Sequence, residues 1–90
     1  ANSVNATTWK SWGNKDFPTQ FLKTINNPSN IIHFNLDGVD SPWGAVLEGA
    51  KGLGSSRATN WELYQLYSNP SALQRTIFYQ GGKIVSNPFH

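Results

Sequence analysis

The chain has 90 residues, with seven Lys and Arg against five Asp and Glu, and its formal net charge of +2 is too small to hold nucleic acid by long-range attraction alone. It contains no cysteine, which excludes disulfides and thiolate zinc sites, and its two histidines are far apart in sequence, so we expect no bound metal and no cofactor. No apolar run approaches the roughly 20 residues that a membrane span needs. The absence of methionine from a chain that starts with Ala predicts that it is excised from a longer polypeptide.

Most of the chain is predicted to form one domain. Residues 1–15 are rich in Asn, Ser, Thr and Gly, and Trp9 and Trp12 are their only large apolar side chains. This composition predicts a loosely ordered lead-in, followed by a single domain over residues 16–90. The four Trp, five Phe and three Tyr of the chain indicate a core rich in aromatic side chains.

The first predicted element is a short amphipathic helix. Asp16 is a suitable N-cap, and Phe21, Leu22 and Ile25 are predicted to lie on the same side of the helix as Phe17. Pro28 ends the helix, because the residue before a proline disfavours helical backbone.

A half-buried strand is predicted at residues 31–36. Its alternation directs one face to the core, through Ile32, Phe34 and Leu36. The same alternation places His33, Asn35 and Asp37 together on the other face. Because a histidine exchanges protons near neutral pH, this face is the first candidate for an active site, and a merely solvated strand face is the alternative.

A second helix is predicted to begin at Ser41 and Pro42, where an N-cap precedes a proline at the first helical position. Its apolar stripe comprises Trp43, Val46, Leu47 and Ala50. Gly52 and Gly54 end this helix, and Arg57 closes a polar loop from which it can reach across a neighbouring cleft.

A third helix is predicted from Thr59 and Glu62, whose spacing fits a capping box in which each side chain bonds a backbone amide of the other residue. Leu63, Leu66 and Tyr67 form the apolar side of this helix. On this interpretation Glu62 is a helix cap rather than a catalytic acid.

Two strands are predicted to end the fold. Residues 73–79 alternate as a strand does, which places Arg75, Ile77 and Tyr79 on one face and Thr76 and Phe78 on the other. Gly81 and Gly82 form a hairpin turn, because glycine accepts positive φ, and a strand over residues 83–85 follows. The chain is therefore predicted to be an α+β domain, in which short N-terminal and central helices pack on a small antiparallel β-sheet.

These residues supply the groups that a metal-independent ribonuclease needs: a proton acceptor, a proton donor and fixed cations for the phosphorane charge. The predicted catalytic residues are His33, Arg75, Thr76 and Tyr79. The predicted substrate-binding residues are Arg57, Lys83, Asn35 and Asp37. Asp37 can either orient His33 or form a turn before Gly38, and Arg75 can also be a surface residue whose stem covers the sheet.

Two other functions are alternatives. Asp37, Asp40 and Glu48 are candidate ligands of a divalent metal in a DNase, although their spacing on the predicted elements argues against a shared site. A non-catalytic module would instead use exposed tryptophans to bind a protein partner.

Residues 57–89 contain a set of short motifs, which are Thr59-Asn60-Trp61-Glu62-Leu63, Arg75-Thr76-Ile77-Phe78-Tyr79, Gly81-Gly82-Lys83 and Asn87-Pro88-Phe89. This part of the chain resembles the C-terminal toxin domains of bacterial polymorphic toxin systems, including those of contact-dependent growth inhibition. Many of these domains are similar to the barnase, EndoU, colicin and RelE group of metal-independent ribonucleases, which are built from short helices on a small antiparallel sheet.

The resemblance implies a secreted or cell-surface carrier protein, action in the cytoplasm of a target bacterium, cleavage of tRNA, and neutralisation by a cognate immunity protein. Some relatives use elongation factor Tu as a partner, which would bring a weakly charged domain to tRNA. Active residues differ among these toxins, so the resemblance implies only one histidine with basic and hydroxyl partners, which here are His33, Arg75, Thr76 and Tyr79.

Overall fold

The computed structural model describes residues 2–5 and 17–89, and in the first of these segments Ser3 is the residue whose side chain is described. The elements in chain order are β1 (Asn2–Asn5), α1 (Phe17–Ile25), β2 (Asn30–Asn35), α2 (Pro42–Gly49), α3 (Ala58–Tyr67), α4 (Pro70–Gln74), β3 (Thr76–Gln80) and β4 (Lys83–Val85), with a 3₁₀ turn at Leu53–Ser55. None of the helices in these segments is long and apolar enough to cross a membrane.

The four strands form one mixed sheet in the order β1-β2-β3-β4. β1 and β3 both pair in parallel with β2, and β3 and β4 are antiparallel. The α+β class is confirmed, whereas the prediction of an antiparallel sheet is wrong for two of the three strand pairs. Parallel pairing of consecutive strands requires a crossover connection. In this chain α1 lies between β1 and β2, and α2, α3 and α4 lie between β2 and β3.

β1 brings part of the predicted lead-in into the sheet. Residues 2–5 pair with β2 along their whole length, so they belong to the domain. Their sequence, Asn-Ser-Val-Asn, has no apolar alternation that would predict a strand. The rest of the predicted lead-in, with Trp9 and Trp12, and the proposed cap at Asp16 lie outside the described residues.

α1 and β2 form as predicted. α1 buries one side, which consists of Phe17, Phe21 and Ile25. In β2 the alternation buries Ile32 and Phe34 against the helices, and Leu36 beyond the strand is buried as well. His33 is half-buried on the opposite face, which the alternation turns away from the helices.

α2 begins as predicted but buries a different face. The Ser41 hydroxyl accepts a hydrogen bond from the amide of Gly44 at 3.1 Å, and Pro42 occupies the first turn. Of the predicted apolar stripe, however, Trp43 and Leu47 are 49% and 71% exposed.

Backbone proximity to α3 decides which face of α2 is buried. A Cβ atom at Gly49 would overlap the carbonyl oxygen of Asn60, so the two helices meet where α2 has no side chain. This contact directs Ala45 and Val46 inward, whereas Ala50 of the predicted stripe is exposed.

α3 begins at Ala58, with Arg57 as its N-cap, so the predicted capping box is wrong. Thr59 lies inside the first turn, and Glu62 is completely buried and makes no hydrogen bond to the backbone. Trp61 of the same helix packs on α1, with its ring centroid 5.8 Å from that of Phe17.

A fourth helix replaces the beginning of the predicted strand at residues 73–79. The Asn69 side chain accepts a hydrogen bond from the amide of Ala72 at 3.2 Å, and Pro70 stands in the first turn, so this Asn-Pro pair begins a helix as well as ending one. β3 follows only at Thr76. The prediction that Arg75 shares a strand face with Tyr79 is therefore wrong, because Arg75 is the C-cap of α4.

The predicted hairpin is confirmed. Gly81 and Gly82 form its two-residue turn with φ values of 60° and 78°, and they connect the paired residues Gln80 and Lys83. Positive φ at both central positions matches the twist of the strands that the turn joins.

Glu62 is the unusual residue of the core. Within the described part of the chain its two carboxylate oxygens have no hydrogen-bond partner, and its side chain is 0% exposed. Desolvation by burial raises the pKa of this carboxyl from 4.5 to about 9. Glu62 is therefore a neutral acid in the folded protein at pH 7.

The buried acid makes stability depend on pH. In the folded state Glu62 keeps its proton up to about pH 9, whereas in the unfolded chain it loses the proton at its usual pKa of 4.5. The stabilisation by this proton is thus complete below pH 4.5 and is lost as the pH rises to about 9. The part of it that is lost between pH 4.5 and 7 is roughly 3 kcal/mol. Denaturant unfolding across this pH range should show that the free energy of unfolding declines in the wild type and changes less with pH in Glu62→Gln.

Glu48→Gln is the matched control, because Glu48 is an exposed helical glutamate paired with Lys51 at 3.1 Å. It should keep the wild-type pH profile. If the free energy of unfolding depended on pH with the same slope in Glu62→Gln and in the wild type, a neutral Glu62 in the folded protein would be contradicted.

Candidate active site

A cleft of about 400 Å³ lies on the face of the sheet that the helices do not cover. Its described lining comes from β1, β2, β3 and the turn between β3 and β4, and it consists of Ser3, His33, Asn35, Tyr79 and Gly82. Three of these residues were predicted as site residues from the sequence. Ser3 and Gly82 were not, because β1 has no strand signal and a turn glycine has no side chain to suggest chemistry.

The centre of the cleft is a hydrogen bond between His33 and Tyr79. The distance from His33 Nδ1 to the Tyr79 hydroxyl is 2.7 Å, and the two ring centroids lie 5.6 Å apart with planes inclined by 33°. Tyr79 on β3 is the register partner of Asn35, so it meets His33 across the diagonal of two parallel strands. The sheet register alone thus brings together two of the predicted catalytic residues.

The hydroxyl is a partner that suits both charge states of the imidazole. A tyrosine hydroxyl can donate to Nδ1 of a neutral histidine, and it can accept from Nδ1 when that nitrogen carries a proton. The contact therefore persists while His33 gains or loses a proton. Within the described residues His33 Nε2 makes no hydrogen bond, which leaves this nitrogen for a ligand in the cleft.

Asp37 does not orient His33. Its carboxylate oxygen accepts a hydrogen bond from the amide of Gly81 at 2.8 Å, and its own amide donates to Asn35 Oδ1 at 2.8 Å. Of the two roles left open for Asp37, the structure gives it the turn, together with a bond to the hairpin. This chain of contacts fixes the hairpin turn, and with it Gly82, against the end of β2.

Arg75 and Thr76 are not brought to His33. The guanidinium of Arg75 donates to the carbonyl oxygens of Ile25, Asn27 and Asn30 at distances of 2.6 to 2.9 Å. The Thr76 hydroxyl donates to the carbonyl of Ala72 at 2.8 Å, within the preceding helix. Both side chains are therefore structural contacts of the fold, and the structure corrects the predicted catalytic placement.

Arg57 and Lys83 also lie apart from the lining of the His33 cleft. Arg57 borders a second, smaller cleft of about 290 Å³, together with Asp40 and Glu48. Lys83 is exposed at the start of β4 beside the hairpin turn. Among the described residues the lining of the His33 cleft has no lysine or arginine, so the cationic groups predicted for a phosphate are not assembled there.

The carboxylates proposed for a metal are separated as well. Asp37 is bonded to the hairpin, whereas Asp40 and Glu48 border the second cleft. In the described segments no three His, Cys, Asp or Glu side chains come together as metal ligands would.

Comparison with known proteins identifies no relative of this chain, because no family model, no curated protein and no solved structure matches it.

Arg75 and Arg57 provide a matched test of the structural role assigned to Arg75. Arg75→Ala removes three charge-assisted hydrogen bonds and should lower the unfolding free energy by about 3 kcal/mol. Arg57→Ala changes an exposed side chain and should stay within about 0.5 kcal/mol of the wild type. Urea unfolding followed by tryptophan fluorescence measures both, and similar values for the two variants would contradict the structural role.

Proposed function

We propose that the protein is a metal-independent ribonuclease in which His33 and Tyr79 transfer the protons. The observation that supports this proposal is the 2.7 Å hydrogen bond between the two side chains in a solvent-open cleft. Because the Tyr79 hydroxyl holds Nδ1, the imidazole of His33 presents Nε2 in a fixed direction, as general acid–base catalysis requires.

The proposed reaction is an internal transphosphorylation of RNA. His33 Nε2 accepts the proton of the ribose 2′-hydroxyl, and the freed oxygen attacks the adjacent phosphorus. The bond from phosphorus to the 5′-oxygen breaks, and this oxygen takes a proton from the Tyr79 hydroxyl. Tyr79 in turn receives the Nδ1 proton of His33. The products are a 2′,3′-cyclic phosphate and a 5′-hydroxyl, and both side chains end neutral.

The cleft lining constrains how the charge of the substrate is accommodated. With no lysine or arginine among its described residues, the lining offers hydrogen-bond donors and aromatic surface rather than fixed positive charge. A net charge of +2 adds little long-range attraction. Binding of RNA by this domain would therefore depend on close contacts or on a second protein that presents the RNA.

The biological setting is proposed from the sequence resemblance alone. In this setting the domain is the toxic end of a secreted or cell-surface carrier, cleaves tRNA in the cytoplasm of a target bacterium, and is neutralised by a cognate immunity protein. Presentation of the tRNA by elongation factor Tu would fit the small net charge of the domain.

A second candidate function is a non-catalytic protein-binding module. It is favoured by an aromatic surface formed by Trp43, Tyr67 and Phe89, whose ring centroids lie 5.1 Å apart in each pair. Trp43 and Tyr67 are exposed, and Leu47, about one helical turn after Trp43 in α2, is exposed as well. Exposed aromatic clusters of this kind are frequent at protein interfaces.

Cleavage of total bacterial RNA in the presence of EDTA, with and without elongation factor Tu and GTP, tests the proposal. The wild type should produce discrete tRNA fragments. His33→Ala should reduce the rate by about 10²- to 10⁴-fold and Tyr79→Phe by about 10²-fold, because each removes a proton-transfer group.

Tyr67→Phe is the matched control, because it also removes a tyrosine hydroxyl, but from the aromatic surface, and leaves the cleft intact. It should cleave at the wild-type rate. Intact RNA in every lane would contradict the ribonuclease and favour the binding module, and cleavage that EDTA abolishes would indicate a metal-dependent nuclease instead.

A further inference from the structure

The amide group of Asn35 is held in one orientation at the edge of the cleft. Its Oδ1 accepts a hydrogen bond from the amide of Asp37 at 2.8 Å. A backbone N–H can only donate, so the oxygen rather than the nitrogen of the side-chain amide must face it. The Nδ2 group of Asn35, with two hydrogens, has no hydrogen bond within the described residues and is left for a ligand.

A flat aromatic surface lies beside this amide. Asn35 and Tyr79 are register partners on neighbouring strands, which are about 4.8 Å apart in a β-sheet. The rings of His33 and Tyr79 are inclined by only 33°, and both are half-buried, so part of each faces the cleft. A base stacked on Tyr79 would therefore place its edge within reach of Asn35 Nδ2.

The lining favours an uncharged acceptor over a phosphate. A phosphate bound at Asn35 would meet no lysine or arginine among the described residues of the cleft. A carbonyl oxygen on a base needs no counter-charge, and a neutral amide donor is well suited to it.

We propose that Asn35 determines base specificity by donating from Nδ2 to an exocyclic carbonyl oxygen, which uracil, cytosine and guanine carry and adenine lacks. The usual bidentate contact of asparagine with adenine needs both its oxygen and its nitrogen, and here the oxygen is turned toward the backbone of Asp37. This inference rests on the proposed function, since it names the bases that the ribonuclease would select.

The test uses four DNA oligonucleotides that each contain a single ribonucleotide, U, C, G or A, at the same position. The wild type should cleave the U, C and G substrates about fivefold faster in kcat/KM than the A substrate, the effect of one uncharged hydrogen bond. Asn35→Asp keeps an acceptor for the Asp37 amide, and its carboxylate has no donor. Asn35→Ser also keeps an acceptor but removes the Nδ2 group, and its hydroxyl, which is one bond shorter, does not extend to the position of Nδ2. In both variants, the ratio of kcat/KM for the U, C and G substrates to that for the A substrate should be close to one.

The control variant is Asn87→Ser. Asn87 Oδ1 accepts from the amide of Phe89 at 2.9 Å in the same kind of turn but does not line the cleft, so its variant should keep the wild-type preference. Thermal unfolding of all variants checks that each is folded. A wild type that cleaves all four substrates equally, or a preference that persists in Asn35→Ser, would overturn the inference and leave the ribonuclease standing.

A binding measurement separates failure of the inference from failure of the proposed function. Uridine and adenosine 3′-monophosphate are titrated into the wild type and Asn35→Ser by calorimetry. If no RNA is cleaved but the uridine nucleotide binds about fivefold more tightly and Asn35→Ser loses this difference, the base contact is supported and the ribonuclease is contradicted. Equal binding of the two nucleotides by an inactive wild type would overturn both.

Discussion

The hydrogen bonds of the Arg75 guanidinium determine where the two central strands meet. They reach the carbonyl oxygens at the end of α1 and at the start of β2, while the backbone carbonyl of Arg75 accepts from the amide of Ile32 at 2.9 Å. One residue at the entrance of β3 therefore sets the register of β3 on β2. That register makes Tyr79 the partner of Asn35 and brings its hydroxyl to His33.

The parts of the fold that follow local rules could be predicted from the sequence. Alternation over Ile32, Phe34 and Leu36 identified β2 because only one face of that strand is buried, and the same alternation placed His33 and Asn35 together in the cleft. Gly81 and Gly82 identified the hairpin because the positive φ of both residues favours glycine.

The parts that depend on distant contacts could not be predicted. The partners of Arg75 are 45 to 50 residues away in the chain, so its position in the sequence could not distinguish an anchor from a phosphate ligand. Glu62 has the spacing of a capping residue, and only the packing of α3 shows that it is buried. The buried face of α2 likewise depends on the backbone contact between Gly49 and Asn60.

The cleft and the aromatic surface lie on different sides of the molecule. His33 and Tyr79 are on the uncovered face of the sheet, whereas Trp43 and Tyr67 belong to the helical layer that packs on the other face. A protein bound to the helical layer would leave the cleft accessible to a small substrate. If the proposed ribonuclease activity is present, a protein that inhibited it from the helical layer would act noncompetitively, lowering the turnover number while the apparent affinity for that substrate stayed constant.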